Sequence, residues 1–373
     1  MKAAVAHTGL DDFGDIPFRE ALEMFVESLL HEANLDGAAA DGAAGTILRV
    51  LVKRLRLVDD RKRCPGIADE VIAAPIVIVG LPRTGSTHLH ALLGQIEGLR
   101  SPRFWEMMLP SPPPAAETSD TDPRIDEVEA ELAQTPAELQ RRHPFSARRP
   151  EQCNMLYDWS FINQAWLASW NIPAYRDWLF DADYRPALET HRRTLQHLQW
   201  RHPGRWVLKY PKHLIALDVL LDTYPDAVLV WTHRDPAVVL PSVTSLTGFM
   251  REMTSGPMDR QRFGREWALM EELVLHRGVG VRERMADADS RVIDVHYRDL
   301  MTDQIGTIER ILTFAGVSFA GRSRTAIERF IAENPRDRHG RHDYAAEDYG
   351  FDADRLRRRF RWYIERFDVQ LER

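Results

Sequence analysis

A glycine-containing loop between a strand and a helix is the stretch whose residue types best suit anion chemistry. Residues 76–79 form a short apolar run, and Gly80 then opens a loop that continues through Gly85 into a predicted helix. Such a loop leaves backbone N–H groups free and points the positive end of the helix dipole at a bound anion. The two glycines have P-loop spacing, but Ser86 stands where that motif has lysine, and the cation inside the loop is Arg83. The loop therefore predicts a phosphate or sulfate cradle, with an ordinary strand–helix turn as the alternative.

A second group suited to anion binding follows a later apolar run. Arg234 ends a predicted strand, and Ser242 lies about two turns into the helix that follows. A guanidinium makes bidentate contacts with phosphate and a nearby hydroxyl adds another, so both side chains suit one phosphate group. A surface pair of Arg234 with Asp235 explains the same residues equally well when they are taken alone.

The elements that must position these residues follow the pattern of an α/β fold. Short apolar runs at 206–209, 227–232 and 291–295 alternate with predicted helices, which indicates a parallel sheet with right-handed crossovers. The chemically useful residues fall after the strands, where functional loops of such sheets gather. We therefore expect a three-layer α/β fold with a central parallel sheet flanked by helices. Residues 1–70 predict a helical N-terminal region packed on the core, and residues 71–373 predict the α/β domain, with a helical insertion at about 100–204.

The bulk composition excludes several classes of protein. The net charge of −7 argues against a nucleic-acid binder. The two cysteines, Cys64 and Cys153, have no metal-ligand spacing and indicate no disulfide framework. Neither a signal-like segment nor an apolar stretch of the roughly 18 residues that span a membrane is present. We therefore expect a cytoplasmic protein without a transmembrane segment.

The two anion-binding segments together resemble a known family. The segment Gly80-Leu-Pro-Arg-Thr-Gly-Ser-Thr87, combined with His-Arg-Asp-Pro and Ser242, is similar to the nucleotide-binding signatures of sulfotransferases. These enzymes use 3′-phosphoadenosine 5′-phosphosulfate (PAPS) as donor, and the resemblance covers roughly residues 75–345. It implies that Arg234 and Ser242 hold the 3′-phosphate, and that no γ-phosphate requires the P-loop lysine. The residues it implies for the 5′-phosphosulfate are Arg83, Thr84, Gly85, Ser86 and Thr87.

The resemblance also implies catalytic residues. The segment 206–214 is similar to the family segment that carries a catalytic histidine, so His213 is expected to be the general base, because neutral imidazole accepts a proton near neutral pH. Lys209 and Lys212 would stabilise negative charge on the bridging oxygen. Many members have lysine in place of Arg83, and since arginine effectively never loses its proton, charge stabilisation is the role expected of it. The alternative for His213 is a residue at a helix N-terminus without a chemical role.

Two later segments resemble the nucleotide site less specifically. Tyr297 follows a predicted strand and is similar in place to a residue that contacts adenine in the family, with core packing as the equal alternative. The basic segment 336–344, which includes Arg341, resembles a loop that closes over the 3′-phosphate. A solvated basic loop is the alternative there.

These observations imply an enzyme that transfers a sulfonate group from PAPS to a hydroxyl of a small molecule, without a metal. Aromatic residues between 157 and 180, together with Phe249, favour an apolar or aromatic acceptor, a lipid included; helix-core packing of the aromatic stretch is the alternative. A P-loop kinase or nucleoside triphosphatase, and a non-catalytic nucleotide-binding protein of the same fold, are the competing interpretations. The sequence leaves peripheral membrane contact and homo-oligomerisation open.

Overall fold

A five-stranded sheet forms the centre of the protein. The computed structural model describes residues 1–319, 321–334 and 346–372. The strand order is β2-β3-β1-β4-β5 and every pairing is parallel, which confirms the predicted fold class. The edge strand β2 is two residues long and was not predicted. The strands are β1 (Ile76–Gly80), β2 (Leu99–Arg100), β3 (Arg205–Lys209), β4 (Val228–His233) and β5 (Val292–His296).

Helices account for most of the remaining regular structure. None of the helices in the described ranges is both long and apolar enough to cross a membrane. The α-helices are α1 (Lys2–Thr8), α2 (Arg19–Glu32), α3 (Gly37–Arg63), α4 (Ser86–Leu93), α5 (Phe104–Met108), α6 (Arg124–Leu132), α7 (Ala137–Arg142), α8 (Pro173–Asp181), α9 (Arg185–Gln199), α10 (Leu217–Thr223), α11 (Pro236–Ser255), α12 (Arg260–Arg284), α13 (Ala288–Arg291), α14 (Tyr297–Thr302), α15 (Gln304–Phe314), α16 (Arg322–Glu333), α17 (Ala353–Arg359) and α18 (Arg361–Arg366). Short 3₁₀ helices are Pro65–Asp69, Ala116–Thr118, Cys153–Leu156, Asp158–Ser160, Gln164–Ala168, Pro211–Ala216 and Ala346–Tyr349.

The central strand β1 explains the three layers. All five of its residues are buried, and successive side chains of a strand point to opposite faces of the sheet. Val77 and Val79 pack into one hydrophobic cluster, while Ile76 and Ile78 pack into another on the opposite face. The second cluster includes residues of α4 and α15, so helices cover that face. A strand that is buried on both faces reads as a continuous apolar run, which is the pattern the sequence shows.

The N-terminal helices share the larger cluster with the sheet. Phe25 of α2 and Leu55 of α3 belong to the same core as Val77. Fully buried Arg54 donates from α3 to the backbone carbonyls of Phe13, Ile16 and Trp159. Helices α5 to α9 lie between β2 and β3 in the chain. The boundaries at residues 70 and 204 stay a prediction.

The aromatic residues of 157–180 mostly pack inside the protein. Trp159, Phe161 and Tyr175 are almost completely buried, and the ring of Trp166 stacks on Phe25 with centroids 4.3 Å apart. Aromatic pairs of this kind stabilise cores through large buried area. Core packing is therefore the correct interpretation for these aromatic side chains.

Candidate active site

The loop after β1 has a backbone that glycine makes possible. Gly80 has φ +127°, and a Cβ there would lie 2.3 Å from the carbonyl oxygen of Thr232. Gly85 has φ +82°, and a Cβ there would lie 3.1 Å from a ring carbon of Tyr297. Arg83, between them, has φ +62°, a left-handed conformation that is uncommon for a residue with a side chain. The loop is thus confined between β4 and α14.

The side chains at the start of α4 divide between bracing the loop and facing a cavity. Helix α4 begins at Ser86, which is buried and lines the cavity described below. Thr87 Oγ1 accepts a hydrogen bond of 3.3 Å from Lys209 Nζ. Thr84 is fully buried, its Oγ1 donating to the carbonyl of Leu81 and lying 2.6 Å from Thr232 Oγ1. The Thr84 hydroxyl therefore braces the loop. The backbone N–H of Thr84 is the group that is left to contact a bound anion.

Arg83, Arg234 and Ser242, which the sequence assigned to anion binding, lie together at the carboxyl ends of β1 and β4. Arg83 Nε donates to Ser242 Oγ at 3.2 Å, and Arg234 Nη1 donates to the backbone carbonyl of Arg83 at 2.9 Å. The Arg234 guanidinium also stacks on the ring of Tyr297, 3.7 Å from its centroid. The two segments that resemble the nucleotide signatures thus form one continuous site.

A cavity beside Arg234 extends this site toward α14. Tyr297, Met301 and Thr302 form part of its wall, and its volume is about 280 Å³. An aromatic ring and a thioether beside an arginine that is suited to bind phosphate form a surface that suits a purine nucleoside. Arg341 and the rest of the predicted basic loop lie outside the described residues.

A second cavity, of about 230 Å³, is lined by Pro82 and Arg83 of the loop and by Ser86 and Thr87 of α4. We call it the main cavity. Much of its wall is apolar, and its charged and catalytically capable residues come from four separate segments of the chain. The apolar side chains include Phe104, Phe145, Met155, Ala168, Val243, Leu246 and Met250. The charged or titratable ones are Arg83, His143, Glu151, Lys209, Tyr210, Lys212 and Glu271.

Glu151 joins a lysine and a histidine on this wall. Its Oε2 lies 3.0 Å from His143 Nε2, and its Oε1 lies 3.6 Å from Lys209 Nζ. Burial alone would raise the pKa of Glu151, but attraction to His143 and Lys209 outweighs it and holds the pKa well below the ordinary value. Burial likewise lowers the pKa of Lys209, against the opposing attraction of Glu151. Glu151 is therefore ionised.

Lys212 is paired with a carboxylate from α12. Its Nζ lies 2.6 Å from Glu271 Oε1, and both side chains are nearly buried. The ammonium also lies 5.6 Å from the ring centroid of Trp267. Lys209 and Lys212 thus both line the main cavity, each beside a carboxylate, and their role in charge stabilisation stays a prediction.

His213 lies behind the cavity wall and is not one of its lining residues. It is 4% exposed, and its ring faces Tyr157, Tyr210 and His191 at centroid distances of 5.5–6.1 Å. Burial lowers the pKa of His213 to about 3. A general base must lie within hydrogen-bond reach of the proton it removes, so this placement does not suit the role that the resemblance implied.

The surroundings of His213 form a buried polar cluster. One ligand-capable atom each from Cys153, His191 and His213 lies within 4.8 Å of the others. The Nε2 atoms of His191 and His213 have no hydrogen-bond partner among the described residues. The absence of a metal stays a prediction.

Sequence reasoning missed His143, Glu151 and Glu271. The first two lie in a connection after α7, inside the helical insertion, and Glu271 lies in the middle of α12. None follows a strand, so the rule that placed Arg83, Lys209 and Arg234 could not find them. The sequence signal they offer is the Pro150-Glu151 dipeptide and a histidine followed by proline, which predict a turn and nothing more.

A parallel sheet with a glycine loop after β1 and an arginine after β4 defines an α/β protein with a P-loop-type loop. Residues 75–321 match the model of the sulfotransferase family, and the chain belongs to that family. The predicted family is therefore confirmed.

Named relatives and solved structures agree with this assignment. Omega-hydroxy-beta-dihydromenaquinone-9 sulfotransferase Stf3 from Mycobacterium tuberculosis (strain CDC 1551 / Oshkosh) is 27% identical over 262 residues, which are 67% of this chain and 65% of the relative. Sulfotransferase STF9 from Mycobacterium avium superposes with a TM-score of 0.91 at 27% identity, covering 100% of this chain and 96% of that one. Sulfotransferase STF1 from M. tuberculosis H37Rv superposes with a TM-score of 0.84 at 30% identity, covering 96% of each chain.

Proposed function

We propose that this protein transfers a sulfonate group from PAPS to a hydroxyl group of an apolar small molecule. The observation that carries the proposal is the continuous site formed by Arg83, Ser242 and Arg234, with one cavity lined by Arg234 and another lined by Arg83. One cavity suits the adenosine part of the donor and the other suits an acceptor. The point of transfer would then lie between them, beside Arg83 and Thr87.

The residues present fit such a donor. The glycine loop packs so closely on its neighbours that a Cβ at Gly80 would meet Thr232 and one at Gly85 would meet Tyr297, and this packing supports a fixed loop backbone. Ser86 and Thr87 offer hydroxyls at the start of α4, where the helix dipole favours an anion. Arg234 and Ser242 offer the planar fork and hydroxyl suited to a second, separate phosphate. When bound, the donor would supply a sulfonate group on a good leaving group.

The cations would hold the charge that develops during transfer. Lys209 Nζ contacts Thr87 at the start of α4, so its ammonium lies beside the expected position of the bridging oxygen. Arg83 remains protonated throughout and acts by its charge and hydrogen bonds. Fixed cations in a largely buried site are preorganised for this purpose, and the proposal includes no metal.

The acceptor proposed is an apolar or aromatic hydroxyl compound, with long-chain lipid alcohols included. The apolar wall of the main cavity supports this, because small-molecule sites bury apolar ligand surface and use a few polar groups for orientation. The printed name of the Stf3 relative, a sulfotransferase for a hydroxylated menaquinone, also supports a lipid alcohol. A cytoplasmic location with peripheral contact at a membrane would suit such a substrate.

A transfer assay with PAPS tests the proposal. The acceptor panel contains 2-naphthol, farnesol, 1-dodecanol and glucose, and is run with EDTA; sulfated products are measured by mass spectrometry, and 3′-phosphoadenosine 5′-phosphate (PAP) binding by calorimetry. We expect sulfation of at least one apolar alcohol and little of glucose. Arg234→Ala should weaken PAP binding, whereas Arg361→Ala, at an exposed position of α18, should not.

Three outcomes would contradict the proposal. Absence of both transfer and PAP binding would reject it. Magnesium-dependent hydrolysis of ATP would favour a kinase or triphosphatase. PAP binding without transfer to any acceptor would favour a non-catalytic nucleotide-binding protein.

A further inference from the structure

The proposed transfer requires a group that accepts the proton of the acceptor hydroxyl, and His213 does not reach the main cavity. Three other groups on its wall are chemically able to accept a proton: His143 and the carboxylates Glu151 and Glu271. Both oxygens of Glu151 are already engaged, Oε1 beside Lys209 and Oε2 beside His143, so Glu151 is placed to hold the imidazole and not to accept the proton itself. Glu271 is neutralised by Lys212, whose ammonium lies 2.6 Å away. Its Oε1 is therefore already engaged in an ion pair, which makes Glu271 the weaker candidate.

His143 has a defined tautomer because of its partner. Glu151 is an ionised carboxylate and can only accept hydrogen bonds. Since its Oε2 lies 3.0 Å from Nε2 of His143, that nitrogen must carry the proton. In the neutral ring Nδ1 then holds the lone pair, and no hydrogen bond from a described residue occupies it. The contact with Glu151 thus fixes the tautomer of the neutral ring and makes Nδ1 the nitrogen that can accept a proton.

The carboxylate of Glu151 contacts both the lysine proposed for the leaving oxygen and the imidazole of His143. Glu151 contacts Lys209 with Oε1 and His143 with Oε2, while Lys209 reaches Thr87 at the start of α4. The cation that faces the leaving oxygen and the imidazole are therefore one carboxylate apart. In an in-line displacement the entering and leaving oxygens lie on opposite sides of sulfur, so the reaction needs a base at one end and a cation at the other, and Glu151 holds one of each.

We propose that His143 is the general base of the sulfonate transfer and that Glu151 is its positioning residue. This inference rests on the proposed function. The acceptor oxygen forms a bond to sulfur while the bond from sulfur to the bridging oxygen breaks, and that electron pair stays on PAP. The hydroxyl proton moves to Nδ1 of His143 and then to solvent. Glu151 stabilises the imidazolium that forms, as a carboxylate does for other catalytic histidines.

The variant His143→Asn tests the base. With farnesol as acceptor we expect the transfer rate to fall by about 10²-fold to 10⁴-fold, the usual contribution of general base catalysis. With 4-nitrophenol, whose hydroxyl is already acidic, the loss should be at least 10-fold smaller. The melting temperature and the affinity for PAP should stay near wild-type values. A residue with only a structural role would lower both rates equally.

The matched control is His213→Asn, a histidine in the core behind the same wall. We expect the folded fraction of this variant to transfer sulfonate at a rate within a few-fold of the wild-type rate. A collapse in His213→Asn with His143→Asn unaffected would overturn the proposal and restore the role that the sequence first suggested. An equal loss for the alcohol and the phenol in His143→Asn would also overturn it.

Glu151→Gln tests the positioning role, because the amide keeps the size but removes the charge. We expect kcat with farnesol to fall while KM for farnesol changes little. The nitrogen NMR signals of His143, assigned by their loss in His143→Asn, should show a protonated Nε2 and a bare Nδ1 in the wild type. In Glu151→Gln this preference should weaken. An Nδ1-protonated ring in the wild type would reject the proposal without any activity measurement.

The two proposals fail in different ways. Loss of the proposed function appears as wild-type protein that neither binds PAP nor sulfates any acceptor. If only the assignment of the base is wrong, the wild-type protein sulfates an acceptor and His143→Asn does so at a similar rate.

Discussion

The carboxylate of Glu372 lies on the guanidinium of Arg234, with Oε1 2.7 Å from Nε and Oε2 2.9 Å from Nη2. This is the bidentate geometry in which arginine also binds phosphate. The backbone N–H of Glu372 donates to Asp235 Oδ2, and Arg357 donates to the same carboxylate oxygen. The segment around Glu372 therefore lies against Arg234, and its carboxylate makes the bidentate contact that we propose for the 3′-phosphate.

Glu372→Gln should therefore increase the affinity for PAP. The 3′-phosphate must displace the carboxylate, and a partly exposed ion pair contributes up to about 1 kcal/mol, so we expect a two- to fivefold lower Kd. Calorimetry with PAP measures this. Glu283→Gln, which removes an exposed carboxylate on α12, is the control and should leave the Kd unchanged. An unchanged Kd in Glu372→Gln would show that the carboxylate and the phosphate do not compete.

Substitutions of Arg83 should separate charge from proton transfer. If Arg83 acts by its charge, Arg83→Lys should keep the transfer rate within about 10-fold, whereas Arg83→Met should lose about 10²-fold or more, the scale for removing one donor at a developing charge. The loss of the hydrogen bond to Ser242 adds to both effects. Single-turnover rates with saturating PAPS give the comparison. Equal rates for the lysine and methionine variants would show that the charge is not what matters.

The parts of the site that could be predicted are those that follow strands. The apolar run of β1 and the glycines after it specify the loop, and the same pattern places Lys209 after β3 and Arg234 after β4. Strand β2 has only two residues, so no periodicity could indicate it. Side-chain direction was also beyond prediction, since spacing alone does not say that the hydroxyl of Thr84 turns inward.

Long-range contacts account for most of the remaining differences. His143 and Glu151 are only eight residues apart, but their meeting with Lys209 depends on how the insertion folds over the sheet. Glu372 reaches Arg234 from the far end of the chain. His213 was assigned by resemblance of its segment, and tertiary packing directs its ring into the core. Sequence pattern identified the scaffold, and packing decided which titratable groups face the cavity.

Buried neutral histidines should make the fold sensitive to acid. Burial lowers the pKa of His90, His197 and His213 to about 3 each, while an unfolded histidine titrates near 6.5. Between those values the unfolded state binds more protons, so stability is complete above about pH 6.5 and falls as the pH drops. Each such histidine contributes a slope of up to about 1.4 kcal/mol per pH unit.

Urea unfolding between pH 7 and pH 4.5 measures this slope. His197→Gln should reduce the pH dependence of the free energy of unfolding by the contribution of one buried histidine. His31→Gln, at an exposed position of α2, should leave this dependence unchanged. A free energy of unfolding that stays constant over this range would contradict the prediction.

Two glycines with the same φ angle allow the effect of close packing in the loop to be separated from the cost of a left-handed backbone. Gly85 and Gly98 both have φ +82°, but a Cβ at Gly85 would crowd Tyr297 and Leu300, whereas nothing lies within 4 Å of one at Gly98. Alanine at either position costs about 1–2 kcal/mol for the left-handed backbone. We expect Gly98→Ala to bind PAP normally. Gly85→Ala should bind it at least 10-fold more weakly, because displacing Tyr297 disturbs the ring on which Arg234 stacks. Calorimetry on both variants, with melting temperatures to show equal backbone cost, gives the test, and equal PAP affinities would mean that the contact between Gly85 and Tyr297 does not shape the nucleotide site.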